Sequence, residues 1–266
     1  MNWGIYIIPG FFTFLNMFFG TYSIFSSIKS NYTLSAWLII ISIICDGIDG
    51  LLARATKSTS YFGIEFDSFA DFVSFCIAPS ILMYFVVMHT YKTPGIIVCF
   101  IYIMFGAFRL AKFNIKTIKE KENNTKTTYF EGLPTPASAG ILASIVLMFE
   151  LFQKFENGIT SKTIPILMKK IPVIFNLIPL IIILISFLMI TKIQYTSFSK
   201  MKLSKKVSLR TFLLIVIGLL LIIAYPENVI FIFFSIYLIS GIIEYIMKLY
   251  YSKKYIIKRN EVKQNE

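Results

Sequence analysis

The sequence predicts an all-α, polytopic membrane helix bundle of about eight transmembrane helices, and three observations carry that expectation. Of the 266 residues, 56% are hydrophobic and only 15% are charged. A soluble domain carries about 25% charged residues, so this chain has too little polar surface to coat a globule in water. The mean hydropathy is +0.73, and apolar runs recur at lengths near the roughly 20 residues that cross a hydrocarbon core of about 30 Å. Together these exclude a disordered chain, a secreted disulfide scaffold and a soluble enzyme.

The spans fall at residues 5–28, 34–57, 62–89, 94–115, 136–152, 172–191, 209–225 and 228–248. The first is apolar from Ile5, and no Lys or Arg precedes Lys29, so it reads as a retained helix rather than a cleaved signal. The second is apolar only from Trp37 to Cys45, which covers about 13.5 Å. Its charged continuation therefore lies at membrane depth or in a cavity open to one side. The third ends near the single histidine, His89, and the fifth is short. Cys45, Cys76 and Cys99 lie in separate apolar stretches without CxxC spacing and read as small buried hydrophobes.

The net charge of +12 follows the membrane rather than nucleic acid. With eight spans both termini share a side, and the loops and tail on that side hold 20 of the 26 Lys and Arg residues. That asymmetry places both termini in the cytoplasm. Residues 1–250 read as one integral membrane domain and 251–266 as a basic cytoplasmic tail.

Chemistry concentrates in one stretch. Asp46 and Asp49 are spaced i,i+3, Asp67 and Asp71 i,i+4, so each pair shares a helical face. The segment between them, Ala55 to Phe62, is rich in Ser, Thr and Lys and suits a turn that folds the two helices into a hairpin. An ionised side chain at the centre of a membrane helix costs roughly 2.5–3.5 kcal/mol, and four cost roughly 10–14 kcal/mol before their mutual repulsion. One arginine cannot neutralise four carboxylates. Divalent cations can, and hard oxygen donors suit Mg²⁺, Mn²⁺ or Ca²⁺. Gly50, Ala53 and Gly63 keep bulk away from this face, which serves close helix packing and leaves room for a phosphate.

The pattern D-x-x-D-G-x-x-A-R-x₈-G-x-x-x-D-x-x-x-D, from Asp46 to Asp71, is complete here and resembles the signature of the CDP-alcohol phosphatidyltransferase family. The first helix, from Ile8-Pro9-Gly10 through Thr13 and Asn16 to Gly20, is similar to that of the phosphatidylserine synthase branch. So are Arg109-Leu-Ala-Lys112-Phe-Asn114 and the later Glu131-Gly-Leu-Pro134-Thr135-Pro136-Ala137, with Lys112 where Arg is commoner and Gly10 where many relatives carry Asn. The likeness covers roughly residues 5–145; the last spans contribute only hydrophobicity.

The resemblance implies transfer of the phosphatidyl group of CDP-diacylglycerol to the hydroxyl of L-serine, with release of CMP, at the cytoplasmic end of the bundle. It implies a two-metal site for Mg²⁺ or Mn²⁺, with Asp46, Asp49 and Asp67 as ligands. Asp71 completes the second site and acts as general base, a role that spacing alone does not assign. Arg54 and Lys57 would steady phosphate charge, while Thr13, Asn16, Asp49, Gly50, Ala53 and Gly63 would line the CDP-diacylglycerol site. Asn16 serves equally as a helix–helix hydrogen bonder. Arg109, with Lys112 or Asn114, would hold the serine carboxylate. The Pro134-Thr135-Pro136 turn either shapes the acceptor entrance or starts the fifth span. The family also implies a homodimer in the cytoplasmic membrane, surrounded by lipid and without nucleic acid. Glycerol-3-phosphate or inositol phosphate as acceptor is the nearest alternative, and a cation-coupled transporter a distant one.

Overall fold

The computed structural model describes residues 4–56, 61–122, 130–157, 177–191, 193–195, 221 and 223–264. The described chain is helical apart from one two-residue strand pairing. Among the described residues, six helical segments are long and apolar enough to cross a membrane: Gly10–Ile28, Tyr32–Ala53, Phe62–Val86, Met88–Lys119, Thr135–Glu156 and Pro226–Met247. Of the two other expected spans, 172–191 contains a shorter apolar helix, Ile178–Ile190. Most of 209–225 lies outside the described residues.

Helix α1 (Gly4–Ile28) turns back on α2 (Tyr32–Thr56) through three residues. Ser30 takes φ 59° there, and the Asn31 carboxamide oxygen accepts the Leu34 N–H at 3.2 Å, capping α2. Below the turn the Ser35 hydroxyl meets those of Ser23 and Ser27, each at 2.7 Å. These small polar residues let the two backbones run close together. This tight hairpin brings the start of α1 beside the charged end of α2.

The third span is one rod in three parts: α3 (Tyr61–Asp71), a π-helical stretch Phe72–Ile77, and α4 (Ala78–Val86). Pro79 accounts for the widening, since proline supplies no N–H to the carbonyl four residues earlier and crowds it. The Ala78 N–H reaches back to Val73 O. The Phe75 carbonyl, to which Pro79 offers no N–H, accepts the Tyr102 hydroxyl at 3.0 Å. A 3₁₀ turn (Met88–Tyr91) leads into α5 (Lys92–Glu122). Helix α5 outlasts the 94–115 expectation because its Lys- and Glu-rich end continues as helix beyond the apolar stretch.

Helix α6 (Thr135–Glu156) starts behind Pro134 with Pro136 in its first turn, the N-terminal placement that proline favours. It is the central helix: 78% of its apolar window is buried, against 28% for the α5 span. Its run of Ala137, Ser138, Ala139, Gly140, Ala143 and Ser144 suits that position, because small residues let neighbours close in on every side. Helix α7 (Ile178–Ile190) packs on α5, and α8 (Pro226–Gln264) packs on α6 and runs on without a break past residue 250. Strands β1 (Phe130–Glu131) and β2 (Gln194–Tyr195) pair antiparallel. Beside them Gly132 takes φ +82° with its α-carbon against the Met189 carbonyl, a position where a side chain would be both strained and obstructed. Tyr102, Phe75, Leu82, Met83, Leu133 and Leu142 are fully buried in the core. Large apolar residues such as Phe14, Phe18, Phe100, Phe108 and Ile236 cover the outside, the surface a bilayer would solvate.

Candidate active site

Helices α2 and α3 deliver the acidic residues to one place. One carboxylate oxygen from each of Asp46, Asp49 and Asp67 lies within 4.8 Å of the others. Asp49 is the most buried, at 4% exposure, and its Oδ2 accepts the Thr13 hydroxyl at 3.1 Å from α1. One oxygen of Asp67 is buried without a hydrogen-bond partner. A buried carboxylate oxygen left unpaired is costly, and three converging hard oxygen donors fit a divalent cation. The residues present therefore suit the cation that the sequence calls for.

Asp71 stands outside that group of three. Its Oδ1 accepts the Asn16 side-chain amide at 3.1 Å, and it remains within electrostatic reach of Asp46, Asp49 and Asp67. Asn16 is itself fully buried, and two serines fix its backbone carbonyl: Ser42 from α2 at 3.1 Å and Ser74 from the π-helical stretch at 2.8 Å. Gly20 is where α1 meets Ser74, and a β-carbon there would strike the Ser74 backbone. Asn16 thus joins three helices while orienting one carboxylate.

Gly50 and Ala53 are half-buried and Gly63 is exposed. Arg54 belongs to the last turn of α2, and Lys57 lies outside the described residues. Arg109 is 9% exposed. It donates from Nη1 to the Thr135 hydroxyl at 3.0 Å, stands 6.0 Å over the Phe113 ring, and leaves Nε buried without a partner. Asp71, Cys76, Asp46 and, from α8, Tyr237 are its electrostatic neighbours. Asn114 instead accepts the Ser68 hydroxyl at 2.9 Å, tying α5 to α3, and Lys112 is exposed. Arg109 is thus drawn towards the carboxylates, while Lys112 and Asn114 occupy other faces of the helix. Sequence reasoning passed over Tyr237, which stands in a span that reads as hydrophobic filler. It also passed over Tyr102 and Ser138, whose hydroxyls bond inside the core.

A helical bundle with membrane-spanning segments thus brings aspartates from two helices together, three of them close enough to share a metal ion. The family model for CDP-alcohol phosphatidyltransferase matches residues 6–167, and the chain belongs to that family, whose members are generally dependent on divalent cations. It is 36% identical to a CDP-diacylglycerol–serine O-phosphatidyltransferase of Helicobacter pylori strain 26695, over 97% of each chain. The enzyme of the same name from H. pylori strain J99 is 37% identical over 91% of this chain and 92% of its own. That of Bacillus subtilis is 31% identical over 73% of this chain and 92% of its own.

Proposed function

We propose that this membrane protein transfers the phosphatidyl group of CDP-diacylglycerol to the hydroxyl of L-serine, yielding phosphatidylserine and CMP. The observation that carries the acceptor is the likeness, over nearly the whole chain, to enzymes named for that reaction. The chemistry follows from the residues. Asp46, Asp49 and Asp67 would hold the divalent cation, Mg²⁺ or Mn²⁺, and Asp71 would complete a second position. When bound, the cation screens the pyrophosphate charge and polarises phosphorus. Thr13 fixes Asp49, and Asn16 fixes one oxygen of Asp71 and leaves the other to take the proton of the serine hydroxyl. The serine oxygen bonds to phosphorus as the bond to the CMP oxygen breaks. Arg109, with an N–H unspent, receives the serine carboxylate, a directional and strong pairing. Gly50, Ala53 and Gly63 leave space for the nucleotide, and Arg54 and Lys57 flank its phosphates. The positive-inside asymmetry supports a cytoplasmic site with both termini in the cytoplasm, and the family supports a homodimer.

The test is CMP release from CDP-diacylglycerol by detergent-purified protein, with serine present or absent, in Mn²⁺, in Mg²⁺ and in EDTA, beside Asp71→Asn. The expected result is release that needs serine and metal and falls by at least about a hundredfold in the variant. Release with glycerol-3-phosphate or inositol phosphate but not serine would overturn the acceptor. No release with any acceptor would return the aspartates to ion binding.

A further inference from the structure

Asp71 and Arg109 lie on different helices, and a chain of buried hydroxyls joins the segments that carry them. The π-helical stretch follows Asp71 directly, and its Phe75 carbonyl accepts the Tyr102 hydroxyl. Tyr102 and Ser138 oxygens stand 3.0 Å apart, Ser138 donates to the Thr135 carbonyl at 2.8 Å, and the Thr135 hydroxyl accepts Arg109 Nη1. Tyr102, Ser138 and Thr135 are all fully buried. Tyr102 and Arg109, seven residues apart, share one face of α5. The Tyr102 and Ser138 hydroxyls carry one proton each, so two of these three short contacts are filled at a time, and all three bring the α3–α4 rod, α5 and α6 together at one point.

The consequence falls on the guanidinium. Thr135 takes one of its N–H groups in a fixed direction at the first turn of α6, and Nε stays buried with no partner in the protein. A buried guanidinium N–H without an acceptor is costly until a ligand supplies one. We propose that Thr135 is a positioning residue for the acceptor alcohol: by holding Nη1 it aims the remaining edge of Arg109 at the carboxylate of serine. The Ser138–Tyr102 link then sets that carboxylate's distance from Asp71. The proposal rests on the reading of Arg109 as the holder of that carboxylate.

The experiment is steady-state CMP release by full-length protein carrying Thr135→Val, Thr135→Ser or Arg109→Gln, with serine and CDP-diacylglycerol varied in turn. Val keeps the shape of Thr and removes the acceptor, and Ser restores it. Thr135→Val is expected to raise the KM for serine by about tenfold or more, with kcat within about threefold and the KM for CDP-diacylglycerol and the Mn²⁺ midpoint unchanged. Thr135→Ser is expected to return the serine KM to within about threefold of the parent. A merely structural role would lower kcat or move both KM values together, and that result overturns the proposal, as does failure of Ser to rescue. If Arg109→Gln raises the serine KM and Thr135→Val does not, positioning by Thr135 is refuted alone. If neither moves it, the role of Arg109 falls and the proposal with it. Should Thr135→Val not fold, Ser138→Ala breaks the chain one link further on. It is expected to raise the serine KM by about threefold with kcat held, and an unchanged KM there overturns the proposal.

Discussion

Replacing Asn16 with leucine separates the orientation of Asp71 from the integrity of the fold. Leucine approximates the shape of asparagine and removes the 3.1 Å amide bond to Asp71 Oδ1. It leaves the residue 16 carbonyl free to keep its bonds from Ser42 and Ser74, so α1 stays docked. A hydrogen bond to a charged group contributes about 1.5–3 kcal/mol. If that bond holds the general base in its working geometry, its loss lowers kcat by about 10- to 150-fold, at 1.36 kcal/mol per factor of ten. The same change removes the Asn16 Oδ1 that is buried without a partner, which returns about 1–3 kcal/mol of desolvation and offsets the bond lost to folding. The expected outcome is a large fall in kcat at saturating serine and CDP-diacylglycerol, with Tm in detergent and both KM values close to those of the parent. Asn16→Asp, which sets another carboxylate against Asp71, is expected to lose both kcat and Tm. A kcat within about twofold of the parent in Asn16→Leu would refute the orienting role and leave Asn16 as a helix–helix contact only.

Two further variants address the cluster and the close approach beneath it. Asp67→Asn removes a charge whose carboxylate has one buried, unpaired oxygen. It is expected to shift the Mn²⁺ midpoint of activity upwards by about tenfold or more and to shrink the metal-induced rise in Tm, which for the parent approaches about 2.7 kcal/mol of stabilisation at a hundred times Kd. Gly20→Val drives side-chain bulk into the Ser74 backbone and is expected to cost about 1–3 kcal/mol, read by thermal unfolding. Gly47→Ala, on the same hairpin but with open space around it, is expected to stay within about 0.5 kcal/mol of the parent or to stabilise it slightly.

The four carboxylates are legible in the sequence because helical spacing fixes the face a residue occupies, and interfacial solvation with pairing to Arg54 and Lys57 explains four of them at paired spacings less readily than a shared cation does. Spacing does not fix a rotamer or a partner. Asp67 and Asp71 share a face, yet only Asp67 joins the group of three, because an amide from another helix captures Asp71. Asn16 reads in the sequence as lining the CDP-diacylglycerol site or as a helix–helix hydrogen bonder; that it serves Asp71 depends on how α1 docks. The same limit applies to Arg109, Lys112 and Asn114, which form one local motif but point to three surroundings once α5 is packed.

Pro79 shows what a sharper reading of the sequence would yield and where it would stop. A proline inside an apolar span removes the donor for the carbonyl four residues before it, so Phe75 is identifiable from sequence as a carbonyl needing an outside partner. In a membrane that partner cannot be bulk water and must come from another helix. The described spans contain several buried serines and two buried tyrosines, Tyr102 and Tyr237, and nothing local chooses among them. Tyr102 takes the position because α5 crosses the rod beside the widened turn. Its helix also carries Arg109 two turns further along, so repairing the proline defect and placing the guanidinium become one packing event. A change at Pro79 would therefore be felt first in the relation between Asp71 and Arg109, and only secondarily in the span itself.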